Sequence, residues 1–280
     1  MRGNEAALRR GVMRMAFVLI CTTLLPSCAK VYQPNGPVPA GESIPAIGEM
    51  IPVADTMRAP YHSMCRSSTV RTRVFFWRVG FVSSGALLDN NLLLTAGHNY
   101  ASPSAPWSVV SDRWVQCGVG FAGRTTDNPL WQLRSGFDRK RQVRNPPDYE
   151  YHVYGRDYAL VSLTNHVPWS SAFEFPDERS LQLVDGDTVW VAGYSAENPN
   201  DGSILYHGRT IVRNVTTDTF EYELNTERGV SGGPVWVVRD GKFILVGIHV
   251  AADTAARISP QTLANIRRWK TELPAGSGEP

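Results

Sequence analysis

Cysteine is scarce in this chain, four in 280 residues, with no CxxC pair and no His/Cys group at metal-ligand spacing. That excludes a zinc ribbon and an iron–sulfur centre, and neither a metal nor a cofactor is expected. Excess charge of one sign is also missing: 28 Lys and Arg face 26 Asp and Glu, for a formal net charge of +2. The continuous basic surface that nucleic-acid binding needs is therefore not supplied. Sustained helical periodicity is rare, and no nucleotide-binding loop is present. What the chain does have is 24 Gly, 19 Pro and a 42% hydrophobic content, too apolar for disorder and too punctuated for a helical bundle. One large or two small globular domains remain.

The first 28 residues read as an address. Arg2, Arg9, Arg10 and Arg14 precede an apolar run from Met15 to Leu25, a positive region followed by a hydrophobic one of signal-peptide length. The run is too short to span a bilayer as a stable helix. It ends Leu25-Pro26-Ser27-Cys28, which resembles a bacterial lipobox with Cys28 as the lipidation site, although Pro26 is an unusual occupant; an ordinary cleaved signal is the alternative. Export to the periplasm or outer membrane, or secretion, is the expected localisation. Loss of residues 1–28 removes four Arg and one Glu, so the basicity belongs to the signal. The body then keeps Cys65 and Cys117, which an oxidising compartment allows to pair; two buried free thiols are the alternative. Residues 29–60 are dominated by Pro and Gly and read as a tether or pro-segment.

From Tyr61 the pattern is β. Short apolar runs recur over 70–81, 84–94, 114–121, 158–163, 188–193, 204–215, 219–224, 235–238 and 243–250, separated by turn signals such as Asp89-Asn90-Asn91. One convincing helix is expected over 259–273, with Ser259 as cap, Pro260 at the first helical position, and Leu263, Ile266 and Trp269 on one face.

Three motifs carry chemistry. Gly229-Val230-Ser231-Gly232-Gly233-Pro234 is the most specific: the glycines allow a tight turn in which the N–H groups of Gly229 and Ser231 converge beside the Ser231 hydroxyl, the arrangement of an oxyanion hole. Leu92-Leu93-Leu94-Thr95-Ala96-Gly97-His98-Asn99 is a buried strand ending in small residues and a histidine. Gly155-Arg156-Asp157-Tyr158-Ala159-Leu160-Val161 places a carboxylate at the head of an apolar strand. Asp138 and Asp148 are competing acids, but neither begins such a strand.

Taken together, in the order His, Asp, Ser, the motifs resemble the chymotrypsin-like serine peptidases over roughly Ser67 to Leu273. The closer likeness is to the bacterial glutamyl endopeptidases, carried by Val191-Ala192-Gly193-Tyr194, by Thr226 with Gly229, Ser231 and Gly232, and by Gly247-Ile248-His249. The resemblance implies an all-β fold of two six-stranded antiparallel barrels, near 61–170 and 171–258, plus the C-terminal helix. It implies a serine endopeptidase with His98, Asp157 and Ser231 as its catalytic residues, acting on protein or peptide substrates. Such an enzyme works through neutral His98, so its rate should fall on acidification. A monomer is expected, with membrane contact only through the N-terminal lipid.

The substrate-binding residues implied are Asn225, Thr226 and His249. Asn225 occupies the pocket floor without a carboxylate, which speaks against cleavage after basic residues, while Thr226 and His249 match the pair that holds an acidic side chain. The pattern departs from the group at Val250-Ala251-Ala252, at Val230, which cannot capture a new N-terminal ammonium, and at Asn99, where many relatives have Cys. A catalytically silent homologue acting as a protein-binding module is the rival reading, and an esterase on the same scaffold a weaker one. The basic stretch Asp138-Arg139-Lys140-Arg141-Gln142-Val143-Arg144 reads as a solvated loop near Asp157, with a partner or membrane-surface patch as the alternative.

Overall fold

The computed structural model describes residues 44–72, 78–101, 109–118, 131–134, 139–176, 183–197 and 202–274. The signal segment, Cys28 and Asp138 lie outside them. Strand β1 (Met50–Pro52) is followed by β2 (Met64–Thr72), β3 (Arg78–Asp89), β4 (Leu92–Thr95), the short helix α1 (His98–Ala101), β5 (Val109–Cys117) and β6 (Trp131–Arg134). Next come α2 (Arg139–Gln142), β7 (Val143–Arg144), β8 (Ala159–Ser162), β9 (Phe173–Glu174), β10 (Thr188–Tyr194) and β11 (Leu205–Arg213). The chain ends in β12 (Thr219–Tyr222), β13 (Pro234–Arg239), β14 (Lys242–Ala251), β15 (Thr254–Arg257) and α3 (Pro260–Glu272).

Two antiparallel sheets result. In the first, the strands run β6-β5-β2-β3-β4-β8-β7, and Cys65 on β2 faces Cys117 on β5 in register, the two joined by a disulfide. In the second, β11-β10-β13-β14-β15-β12 returns to β11 and closes a six-stranded barrel, with β1 added along β11 and β9 lying parallel on β14. The C-terminal half is thus the six-stranded barrel that was expected, whereas the first sheet is a path of seven strands among the described residues.

The apolar runs are continuous because both faces of these strands are covered, as in sheets buried on two sides. Along β4, Leu93 enters the core inside the first sheet while Leu92 and Leu94 enter the core between the sheets. Along β13, Val235 and Val237 fill the closed barrel and Trp236 faces the shared core. In β14 this alternation slips by one residue. Val235 pairs Gly247 but Trp236 pairs Leu245, so Val246 is an extra residue, a bulge. Ile244 and Val246 therefore point into the barrel before it, Ile248 and Val250 into the shared core after it, and His249 turns to the barrel interior beside Tyr222.

Helix α3 forms as its sequence requires. The Ser259 hydroxyl accepts from the Thr262 N–H at 3.2 Å, Pro260 opens the first turn, and Leu263, Ile266 and Trp269 are buried in the shared core. The Pro- and Gly-rich stretch read as a tether or pro-segment is folded onto the body from residue 44 onward: Met50–Pro52 adds an edge strand to β11, and Val53 and Met57 are buried. Pro52 is tolerated there because it sits at the edge of the sheet.

Candidate active site

His98 and Asp157 meet where two strands of the first sheet end side by side. Leu94 pairs Leu160 and Thr95 pairs Ala159, so the residues just beyond β4 and just before β8 are neighbours. Asp157 closes a 3-10 turn over Tyr154–Arg156, its N–H donating to the Tyr154 carbonyl at 3.1 Å. Its carboxylate is used twice: Oδ2 lies 2.7 Å from His98 Nδ1, and Oδ1 accepts from the His98 backbone N–H at 2.7 Å. Ring and main chain of His98 are thus both bonded to one carboxylate. Gly97 permits the approach, since a Cβ there would stand 3.0 Å from Asp157 Oδ1 and from the Tyr149 ring. Of the competing acids, Asp148 pairs instead with Arg156 at 3.3 Å.

Ser231 lies in the turn before β13, and that turn is built to aim two N–H groups. In a planar trans peptide the C=O and N–H point in opposite directions, so anchoring one directs the other. The Arg228 carbonyl accepts from the Ala196 N–H at 2.7 Å, which fixes the Gly229 N–H; the Val230 carbonyl accepts from the Gly233 N–H at 2.9 Å, which fixes the Ser231 N–H. Among the described residues neither of those two N–H groups has a protein acceptor, while Val230, Gly232 and Gly233 all donate. Gly229 has φ +98°, and a Cβ there would lie 2.4 Å from the Tyr194 carbonyl. The turn is seated against the first sheet: the Ser231 carbonyl accepts from the Ser84 N–H at 2.9 Å and from the Asn99 carboxamide at 3.0 Å. Asn99 is the residue after His98, so the His98 turn and the serine turn are joined side chain to main chain.

The expected substrate-binding residues are divided by the structure. His249 is buried, its main chain bonded to the serine turn through Gly232 N–H to His249 O at 2.7 Å, and its Nδ1 lies 2.5 Å from the Tyr222 hydroxyl. Burial, with the His98 ring nearby, pushes its pKa down to about 3 against a smaller opposing effect of Asp253. Burial likewise holds the Tyr222 phenol protonated far above its ordinary range. The Thr226 hydroxyl donates to the Ala252 carbonyl at 3.0 Å, tying the serine loop to the β14–β15 turn. Asn225 is exposed and lines a different space, a cavity of about 260 Å³ bounded also by Glu49, Met50, Ser195, Tyr206, Glu227 and Val230. Neither Thr226 nor His249 lines that cavity.

A protein-family model described as Trypsin matches residues 61–270, well over half of the chain. The chain belongs to the trypsin family. As a trypsin-family member it is a serine endopeptidase. Its fold is shared by a Glu endopeptidase solved in complex with MPD (18% identity, 81% of this chain and 99% of that one, TM-score 0.59). It is shared too by the thermostable serine protease AL20 of an extremophilic microorganism (14% identity, 75% and 97%, TM-score 0.56). The protease Anisep of Arthrobacter nicotinovorans is a third such structure (13% identity, 74% and 94%, TM-score 0.52). Among curated proteins none matches.

Two residues of this trypsin-family site were invisible as motifs. Ser84 sits inside a β-run with no chemical signature, yet its hydroxyl donates to the Gly229 carbonyl and accepts from the Tyr194 N–H, both at 2.8 Å. Tyr222 reads in sequence as one more core aromatic, and only the bulge in β14 brings His249 to it. A pairing of strand registers is the one signal that would have found either.

Proposed function

We propose that this peptidase is exported and cleaves peptide bonds through an acyl-enzyme, with Ser231 as nucleophile, His98 as general base and acid, and Asp157 as the group that orients it. The observation that carries the reading is the double grip of Asp157 on His98, with Asn99 of the same turn bonded to the Ser231 carbonyl. Asp157 at Nδ1 leaves Nε2 to take the Ser231 proton as Oγ bonds to the scissile carbonyl carbon. The tetrahedral oxygen then receives the N–H groups of Gly229 and Ser231. When the C–N bond breaks, His98 returns the proton to the departing amine, and water repeats the sequence on the ester. A fluorophosphonate probe tests the reading: the wild type is labelled and Ser231→Ala is not. No labelling of either would overturn it in favour of a silent, protein-binding homologue.

For specificity we propose acidic residues at the position before the cleaved bond. The support is chemical. With the Tyr222 phenol as donor to His249 Nδ1, the tautomer this reading requires, the neutral imidazole carries its proton on Nε2, a donor suited to a carboxylate. Thr226 offers a second hydroxyl once its bond to Ala252 is exchanged for substrate. Paired peptides differing only as Glu, Lys or Phe before the scissile bond decide this: Glu should be preferred at least tenfold, and equal rates refute the pocket assignment without touching the catalytic one. Export through the signal-like segment, with Cys28 as the lipid site, is part of the same proposal and is consistent with the Cys65–Cys117 disulfide. Mass spectrometry of the mature N-terminus checks it.

A further inference from the structure

Ser231 and His98 belong to different sheets, so their relative placement depends on whatever crosses between them. Beside the shared core and the Ser84 hydroxyl that joins Gly229 and Tyr194, a small polar network makes that crossing at the serine itself. The Asn99 carboxamide donates to the Ser231 carbonyl at 3.0 Å and to Thr95 Oγ1 at 3.1 Å. Thr95 Oγ1 in turn donates to the Ser84 carbonyl at 2.7 Å, and the Ser84 N–H donates to the Ser231 carbonyl at 2.9 Å. Both lone pairs of the Ser231 carbonyl are thereby used, one by the first sheet's backbone and one by the side chain that follows His98. The space is closed as well: a Cβ on Gly232 would lie 2.8 Å from Asn99 Nδ2 and 2.2 Å from Thr95 Oγ1. Asn99 has no room to swing toward Gly232. Its own carbonyl accepts from Arg113 Nη2 at 3.3 Å, and that guanidinium stacks 3.8 Å over the Tyr100 ring, so the turn is held from its far side.

We propose that Asn99 is a positioning residue, whose carboxamide fixes the register between the His98 turn and the Ser231 carbonyl across the two sheets. The inference rests on Ser231 and His98 being nucleophile and base. Its chemistry is specific: both Asn99 contacts need donors, and an acceptor in the same place would repel the Ser231 carbonyl. Asn99→Asp keeps the shape and reverses that polarity; Asn99→Ala removes the bond and leaves the Ser84 N–H in place.

The test uses the full-length protein and an activated peptide ester, with fluorophosphonate labelling rates and thermal unfolding measured on the same samples. Misplacing reacting groups by about 1 Å lowers rates on the order of a hundredfold. The expected result is a kcat lowered about tenfold to a hundredfold in Asn99→Asp and about threefold to tenfold in Asn99→Ala, given that range. KM should stay within about a factor of two, and the labelling rate should fall in step with kcat. If Asn99→Asp does not fold, Asn99→Ala alone decides. A folded Asn99→Ala with unchanged kcat and labelling rate overturns the proposal, as does a loss that appears in KM alone. Failure of the wild type to be labelled would instead strike the catalytic assignment, which keeps the two failures distinguishable.

Discussion

At the residue scale, the glycines of the serine turn do different jobs, and their neighbours say which. Gly229 needs its left-handed backbone and its missing side chain together. Gly232 has φ +90°, and a Cβ there would stand 2.2 Å from both the Ser84 carbonyl and Thr95 Oγ1. The first of these is backbone and Thr95 is fully buried, so neither can retreat. Gly241 has a similar φ of +74° but nothing within 4 Å of the added atom, which makes it a control for backbone strain alone. Gly241→Ala should cost about 1–2 kcal/mol, the usual penalty for a side chain in this conformation, with kcat unchanged. Gly232→Ala should destabilise by more than that and lower kcat at least about tenfold, because the displaced groups are those that seat Ser231. Chemical denaturation and steady-state kinetics on the two variants check the contrast. Equal losses of stability with full activity in both would mean that the turn tolerates a shift.

At the element scale, the first sheet has a crosslink that the closed barrel lacks among the described residues. Cys65 and Cys117 lie 52 residues apart in sequence on paired strands. Opening that loop in the unfolded chain is worth about 4 kcal/mol by the loop-closure estimate. The Cys65→Ala, Cys117→Ala double variant should lose up to about that much, and a reductant should lower the wild-type melting temperature but not the variant's. An unchanged melting temperature on reduction would show that the strand pairing alone fixes this part of the sheet. The elements themselves were legible to different degrees, for physical reasons. Helix α3 was readable to the residue because cap, proline and apolar stripe are all local. The strands 188–194 and 234–239 were readable as runs, but their faces were not: both sides are apolar, so Val235 and Trp236 look alike until two cores separate them. The bulge at Val246 left no trace, since an extra residue in a uniformly apolar strand changes phase without changing composition. Met50–Pro52 failed for the opposite reason, the prolines and glycines around it masking a strand that exists only because β11 offers an edge. In the site, His98, Asp157 and Ser231 stood out because their flanking glycines and small residues are as constrained as they are. Ser84 and Asn99 act through backbone atoms of distant residues, and that kind of partnership carries no local pattern.

At the scale of the whole molecule, acid is the natural stress on this fold, because burial disfavours the charged form of several of its histidines. His207 sits in the shared core with Nδ1 2.6 Å from the Tyr61 hydroxyl, its ring stacked on Trp190, and its Nε2 buried without a partner among the described residues. Burial, aided by the Arg58 charge, pushes its pKa down to about 4. His249 is pushed to about 3, and burial also lowers His62. Each of these groups takes up a proton near pH 6.5 when the chain unfolds but not while it is folded. The unfolded state therefore binds more protons below that pH, so stability is complete above about pH 6.5 and falls as the pH drops toward 4 and then 3. For His207 alone the loss approaches on the order of 3 kcal/mol across that window. Melting temperatures measured from pH 7.5 to 4 should decline most steeply below about pH 6.5, where imidazoles begin to charge. His207→Phe keeps an aromatic ring against Trp190 and removes the titration, so its melting temperature should fall less over the same range even if it starts lower at pH 7.5. The comparison is internal to each protein, which separates the titration from the packing cost of the substitution. A variant whose melting temperature declines as steeply as the wild type's would place the acid sensitivity elsewhere, in His249 or in the carboxylates, and remove His207 from the account.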